Sequence, residues 1–255
     1  MILDKFSLNK TTFGLLNDSK GYAHLEKNDE NLAYEKLDIG KIIQVNFPED
    51  QYYREAFTKK QIVLHHTVSG EGVNGDLNWW LSTPERVATA VVVDWKGDIY
   101  QCFSSKYWAH HLGLKTLNNK TLNQQSIGIE IDSWGGLIKH NKQWYPAKWD
   151  EKLNKNVANI TQKPIANVVE FPKGFRGFYG YERYSDAQIE SVRKLLTYWN
   201  ETYGIPLGYN ADMWNISQRA LNGESGVWSH VSYRSDKSDA YPDERLIAML
   251  KSLTK

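Results

Sequence analysis

The sequence predicts an α/β or α+β fold, a sheet with helices packed on it. Three observations predict it: strand-type apolar runs at 61–68 and 126–132, a β-hairpin around DWKGD, and one long amphipathic helix at 186–203. QIVLHHTV, 61–68, has the apolar start, β-branched content and length of a buried strand. Side chains alternate along a strand, so Val63, His65 and Thr67 share one face and His66 takes the other. LNWWLSTPERVATA is helix-like in part and is broken at Pro84. Two β-rich runs in TAVVVDWKGDIYQCF flank a turn that Gly97 suits, which reads as a hairpin. SIGIEID, 126–132, sends Ile127, Ile129 and Ile131 one way and Gly128, Glu130 and Asp132 the other.

Residues 135–180 read as a long irregular insert rich in aromatics, among them Trp144, Tyr145, Trp149, Phe171, Phe175, Phe178 and Tyr179. Loops of that length are often functional; flat rings there suit either stacking on sugars or packing within the insert. The helix at 186–203 opens on Ser185, with Gln188 completing a capping box, and ends at Gly204 and Pro206. GVWSHVSY, 226–233, reads as a last strand feeding a loop, and DERLIAMLKSL, 243–253, as a short closing helix. Residues 1–58 are polar and weakly periodic, an N-terminal extension that either precedes or wraps a main domain at 59–255.

Composition narrows the function classes. A net charge of +1 and the lack of any basic stripe argue against nucleic acid as a partner. The one cysteine, Cys102, excludes a disulfide framework and reads as a small core residue. No segment approaches a membrane span, and MILDKFSLNKTTFG has no apolar stretch long enough for a signal peptide. The expectation is a protein that accumulates in the cytoplasm of the producing cell; if its substrate lies outside, a separate membrane-permeabilising protein must release it.

Chemistry concentrates on the histidines. Of seven, four form adjacent pairs, His65–His66 and His110–His111. Catalytic zinc takes three nitrogen, sulfur or carboxylate ligands and leaves a fourth position open. His65 and His230 at strand ends, with Asp239 in the following loop, are of the right types to converge in this way. Glu130 is expensive to bury in mid-strand unless it is paired or near a metal, and a solvated face is the bland alternative.

Four patches, in order, resemble the type-2 N-acetylmuramoyl-L-alanine amidases, a group that includes phage amidase-type lysozymes, bacterial anhydromuramyl-peptide amidases and peptidoglycan recognition proteins. They are IVLHHTV at 62–68, VVVDWKGDIYQ at 91–101, WAHHLG at 108–113 with NQQSIGIEID at 123–132, and SHVSYRSDKSD at 229–239. The resemblance implies a central mixed β-sheet flanked by helices and hydrolysis of the amide between N-acetylmuramic acid and L-alanine in peptidoglycan or a muropeptide. It implies Zn2+ on His65, His230 and Asp239, Glu130 and Lys237 as catalytic residues, and substrate contacts from Trp108, His111 and Asn123. Thr67, on the His65 face, is expected to support the metal ligands by hydrogen bonding.

Two departures stand out. Ala240 and Tyr241 separate Asp239 from Pro242, where the family places proline and glycine directly after the aspartate. Ala88, Thr89 and Ala90 occupy the stretch where some phage members carry a catalytic tyrosine, which favours Glu130 as the base. The leading reading is a phage or prophage endolysin. The alternatives are a cytoplasmic muropeptide-recycling amidase and a non-catalytic peptidoglycan-binding protein.

Overall fold

Two sheets of opposite character make up the molecule, a computed structural model that describes residues 42–70 and 72–254. Most of the expected 1–58 extension therefore lies outside the described residues. Its last part, 42–58, packs on the main domain: β1 (Ile42–Gln44) pairs in parallel with β4 (Ile99–Gln101), and Ile42 and Phe47 enter the core.

The larger sheet has six strands in the order β1-β4-β3-β5-β2-β11, with β2 at Gln61–His66, β3 at Val91–Val93, β5 at Ser126–Ile131 and β11 at Gly226–Ser229. Every neighbouring pair is parallel except β3 and β4. Those two form the expected hairpin, turning through Gly97 at φ +81°. All six residues of β2 are buried, as a parallel strand covered on both faces requires. That burial is why 61–66 reads as an apolar run rather than an alternation. Cys102 follows β4 and is buried, as expected.

Helices cover this sheet. The expected break at Pro84 is observed: α1 (Asn74–Ser82) stops just before it. Short α2 (Asn119–Gln124) precedes β5 and was not anticipated. The long helix α3 (Asp186–Tyr203) has the expected Ser185–Gln188 capping box and ends at Gly204. Gln188 Nε2 donates to Asp132 O at 2.7 Å and Trp199 Nε1 to Ser105 Oγ at 3.1 Å, which clamps α3 to the sheet. A four-residue helix, α4 (Gln218–Leu221), precedes β11, and α5 (Glu244–Ser252) closes the chain, capped by Asp243. The strand expected over 226–233 ends at Ser229, and His230 opens a 3-10 turn.

The expected irregular insert at 135–180 is a correction: it is a five-stranded antiparallel sheet in the order β8-β7-β6-β10-β9. Its strands are β6 (Gly136–His140), β7 (Gln143–Asp150), β8 (Lys155–Ala158), β9 (Val168–Phe175) and β10 (Phe178–Glu182). Much of it is exposed, so its aromatic residues are spread over two faces and form no continuous apolar run. An aromatic joint ties it to the larger sheet. Tyr241 stacks between Tyr181 and Tyr184 with ring centroids 4.5 and 4.6 Å apart, and Phe171 meets Tyr241 edge-on. Tyr241 is thus one of the two residues that depart from the family pattern after Asp239, and it is fully buried at the centre of this joint.

Candidate metal and catalytic site

Parallel strands place functional groups at their carboxyl ends, where loops can converge on them. His65 lies near the end of β2, and Glu130 is its register partner on β5, with Val92 of β3 on Glu130's other side. Register partners point to one face, so His65 and Glu130 share it. His66 points the opposite way, where its Nδ1 lies 3.0 Å from the Tyr184 hydroxyl. The alternation read from the sequence holds.

Three side chains meet at the end of β2. His65 Nδ1 and His230 Nδ1 are 3.0 Å apart, and Asp239 Oδ2 lies 3.2 Å from the first and 2.9 Å from the second. All three residues are buried. The remaining hydrogen bonds assign the protons. Ser126 Oγ donates to Leu122 O at 2.7 Å, so His111 Nε2, 2.8 Å from that hydroxyl, is the donor to it. His111 Nδ1 is then an acceptor, and His65 Nε2 donates to it at 3.0 Å. His230 Nε2 donates to Leu112 O at 3.0 Å. Both Nδ1 atoms are left with lone pairs aimed at a carboxylate oxygen.

Three acceptors within 3.2 Å of one another have no proton to share, and a cation satisfies all of them. Tetrahedral zinc with bonds of about 2.0–2.1 Å separates its ligand atoms by roughly 3.3 Å, close to the spacing here. The residues therefore fit a metal ion, and His65, His230 and Asp239 form the one such group among the described residues. Burial and the neighbouring His230 lower the His65 pKa to about 4, and burial with the neighbouring His65 and His230 pushes His111 down too, so both rings are neutral.

A cavity of about 560 Å³ opens beside these atoms and is lined also by Glu130, Lys237, His111, Thr67 and the α1 residues Asp76, Trp79 and Trp80. Glu130 is not on a solvated face: its Oε2 is buried without a partner. Burial, with Asp239 and Asp76 nearby, pushes its carboxyl well above the usual range, and Lys237 only partly offsets this. Asp76 was missed by sequence reasoning, because an aspartate in a helix's first turn is ordinary there. Burial pushes its carboxyl up to about 6.

The other expected site residues fall out differently. Thr67 lines the cavity, yet its hydroxyl bonds to Ser69 and Ser133 rather than to any of the three ligands. His111 reaches the cavity wall, but both ring nitrogens are committed to His65 and Ser126. Trp108 and Asn123 are buried outside the cavity lining, so neither offers a surface to substrate. Trp108 stacks on Tyr53 at 3.9 Å, and Asn123 Oδ1 accepts from the His111 and Leu112 backbone N–H groups, which holds the loop carrying His111. Gly128 offers a signal that sequence reading passed over. A Cβ there would clash with Thr89 Cγ2 at 2.6 Å and crowd His111 Nδ1 at 3.2 Å, so glycine leaves room for both side chains beside β5. Lys59 was also missed: its buried ammonium donates to Tyr107 O, Gln124 O and Ser126 O and ties the ends of α2 and β5 to the 104–108 loop.

A family model described as N-acetylmuramoyl-L-alanine amidase matches residues 56–242. No curated protein matches the chain. Among solved structures, one titled "Structure of PlyL" is 15% identical with a TM-score of 0.45, covering 84% of this chain and 97% of that one. The endolysin amidase LysCS from Clostridium intestinale URNW is 14% identical with a TM-score of 0.42, covering 84% and 97%. A structure of an AmpD derivative is 14% identical with a TM-score of 0.43, covering 83% and 93%.

Proposed function

The chain belongs to the N-acetylmuramoyl-L-alanine amidase family and is an enzyme of that activity; from that premise we propose that it is a zinc hydrolase cutting the amide between the lactyl group of N-acetylmuramic acid and L-alanine, in the role of a phage or prophage endolysin. One observation carries the reading. Three unprotonated ligand atoms converge within 3.2 Å on the wall of a cavity that Glu130 and Lys237 also line.

Zinc bound there supplies a Lewis acid that polarises the carbonyl and lowers the pKa of water to about 7. His65 Nδ1, His230 Nδ1 and Asp239 Oδ2 are the holding atoms. Glu130 takes a proton from the attacking water and passes it to the leaving nitrogen of L-alanine as the C–N bond breaks. Glu130 lines the cavity beside the three holding atoms, where it is placed for both steps. Lys237 donates to the carbonyl oxygen as negative charge develops on it. His111 and Ser126 keep the His65 proton on Nε2 and its lone pair on Nδ1. The products are a lactyl carboxylate and a peptide stem with a free L-alanine amine.

The test is hydrolysis of purified sacculi with and without a chelator, with mass analysis of the released fragments. Free stems beginning at L-alanine, lost with chelator and restored by zinc, support the whole reading. Activity indifferent to chelator removes zinc from it. Intact sacculi together with cleaved soluble anhydro-muropeptides replace the endolysin role with a recycling one.

A further inference from the structure

The loop after β2 belongs to two cavities. Thr67, Val68 and Ser69 line the one described above, and Gly70 lines a second depression of about 740 Å³. Its walls are two partly exposed indoles, Trp95 from the β3–β4 turn and Trp134 from the turn after β5, and the 161–167 segment that leads into β9. Both sides are anchored. Trp134 N donates to Glu182 Oε2 at 2.6 Å, and Gly135 N to Ser133 Oγ at 3.0 Å. The facing segment is held by Ile165 N to Trp144 O at 2.8 Å and Arg183 N to Asn167 O at 2.9 Å. Gly70 permits the close approach of this loop to the Trp134 ring, since a Cβ there would lie 2.8 Å from Trp134 Cζ2.

We propose that this depression binds the glycan strand of the same peptidoglycan chain whose stem is cut in the first cavity, taking N-acetylated hexosamine units against Trp95 and Trp134. The inference rests on the amidase reading. A polymeric substrate continues past the scissile amide, and a contact surface that begins at Gly70, next in the chain to Ser69 of the catalytic cavity, is placed to take the continuation. Flat indoles offer an apolar face to the C–H side of a pyranose ring while leaving the ring's polar edge outward. Lys163 and Asn167 supply polar groups at the rim for hydroxyl and acetamido groups.

The test compares Trp95→Ala, Trp134→Ala and Ala166→Arg, the last filling the depression from an exposed position, with the wild-type chain. Circular dichroism checks folding, and each variant is assayed on sacculi and on a soluble monomeric muropeptide. Binding of a chitin-derived N-acetylglucosamine tetramer is followed by NMR titration. The expected result is about a tenfold loss on sacculi and in tetramer affinity, with muropeptide hydrolysis within about twofold of wild type. Wild-type rates on sacculi in the Ala166→Arg variant would overturn the proposal, as would tetramer shifts mapping away from Trp95 and Trp134. A wild-type chain that cleaves the monomer but binds no tetramer sinks the glycan site alone; one that cleaves neither substrate sinks the amidase reading beneath it.

Discussion

The six-stranded and five-stranded sheets differ in what burial asks of them. In the first, β2 is buried along its whole length, and the same is true of β3 and β11. A polar group there survives only if something compensates it, so His65 and Glu130 mark a site by their position alone. In the second sheet, β9 has no buried residue and β8 none either, and Trp149 and Tyr179 lie more than half exposed. Polar and aromatic residues there cost little, and none by itself signals chemistry. The two regions meet at Tyr181, Tyr184 and Tyr241, two residues beyond Asp239. Arg176 of the β9–β10 turn also donates to Val231 O and Ser235 O, bracing the loop that carries Lys237 and Asp239. The smaller sheet therefore supports the site from outside it.

Substitutions in the two regions should fail in different ways. The largest effects belong to the first sheet and its loops. His65→Ala and Asp239→Ala are expected to lose bound zinc and all activity, measured by metal content and muropeptide hydrolysis. Glu130→Ala should keep the metal while the rate falls by about 10²–10⁴-fold. Lys237→Ala should keep it too, at a loss of about 10²–10³-fold. Metal lost from Glu130→Ala would make that residue part of the ligand set instead of the base.

Tyr181→Ala tests the joint. Removing a fully buried ring should destabilise the fold by about 3–5 kcal/mol in urea unfolding. Trp149→Ala, on the exposed sheet, should stay within about 0.5 kcal/mol. Equal costs would mean that the second sheet is packed throughout rather than only at its contact with the first.

A smaller effect is expected at His111. His111→Ala should weaken zinc binding by about 10–100-fold in competition with a chromophoric chelator, because His65 loses the acceptor for its Nε2 proton. Ser126→Ala, one step further along the chain of bonds, should lose less. Unchanged affinity in both would show that the His65 ring is held by packing alone.

The smallest effect concerns Asp132, buried just after β5, whose carboxyl is pushed up to about 7 mainly by burial. Its unfolded value is about 3.9, so the folded state favours the protonated form. The resulting stability is present below about pH 4 and is lost as pH rises through about 7. Asp132→Asn should flatten that slope between about pH 4 and 7 in urea midpoints, and an unaltered slope would assign it to other groups.

Much of the site was legible because strand alternation is local. Val63, His65 and Thr67 share a face whatever the tertiary fold, and buried parallel strands announce themselves as apolar runs at 61–66 and 126–131. The α3 capping box is local as well, which is why Ser185 and Gln188 marked the helix start correctly. The order of the four patches supplied the ligand set by resemblance, since spacing between His65 and His230 carries no geometry across that length of chain.

What sequence alone determined about this protein is therefore its locally coded part: the strand faces, the hairpin turn, the long capped helix and the family. Tertiary structure decided the rest, because those features depend on partners distant in the chain. It turned 135–182 into a sheet whose exposed strands have no apolar period to read. It put Asp76 in the cavity wall, and it buried Trp108 and Asn123 outside the cavity lining. It set His111 against His65, 46 residues away, with Gly128 leaving room beside its ring. A hydrogen bond between side chains so far apart is chosen by packing, and packing is a property of the folded chain as a whole.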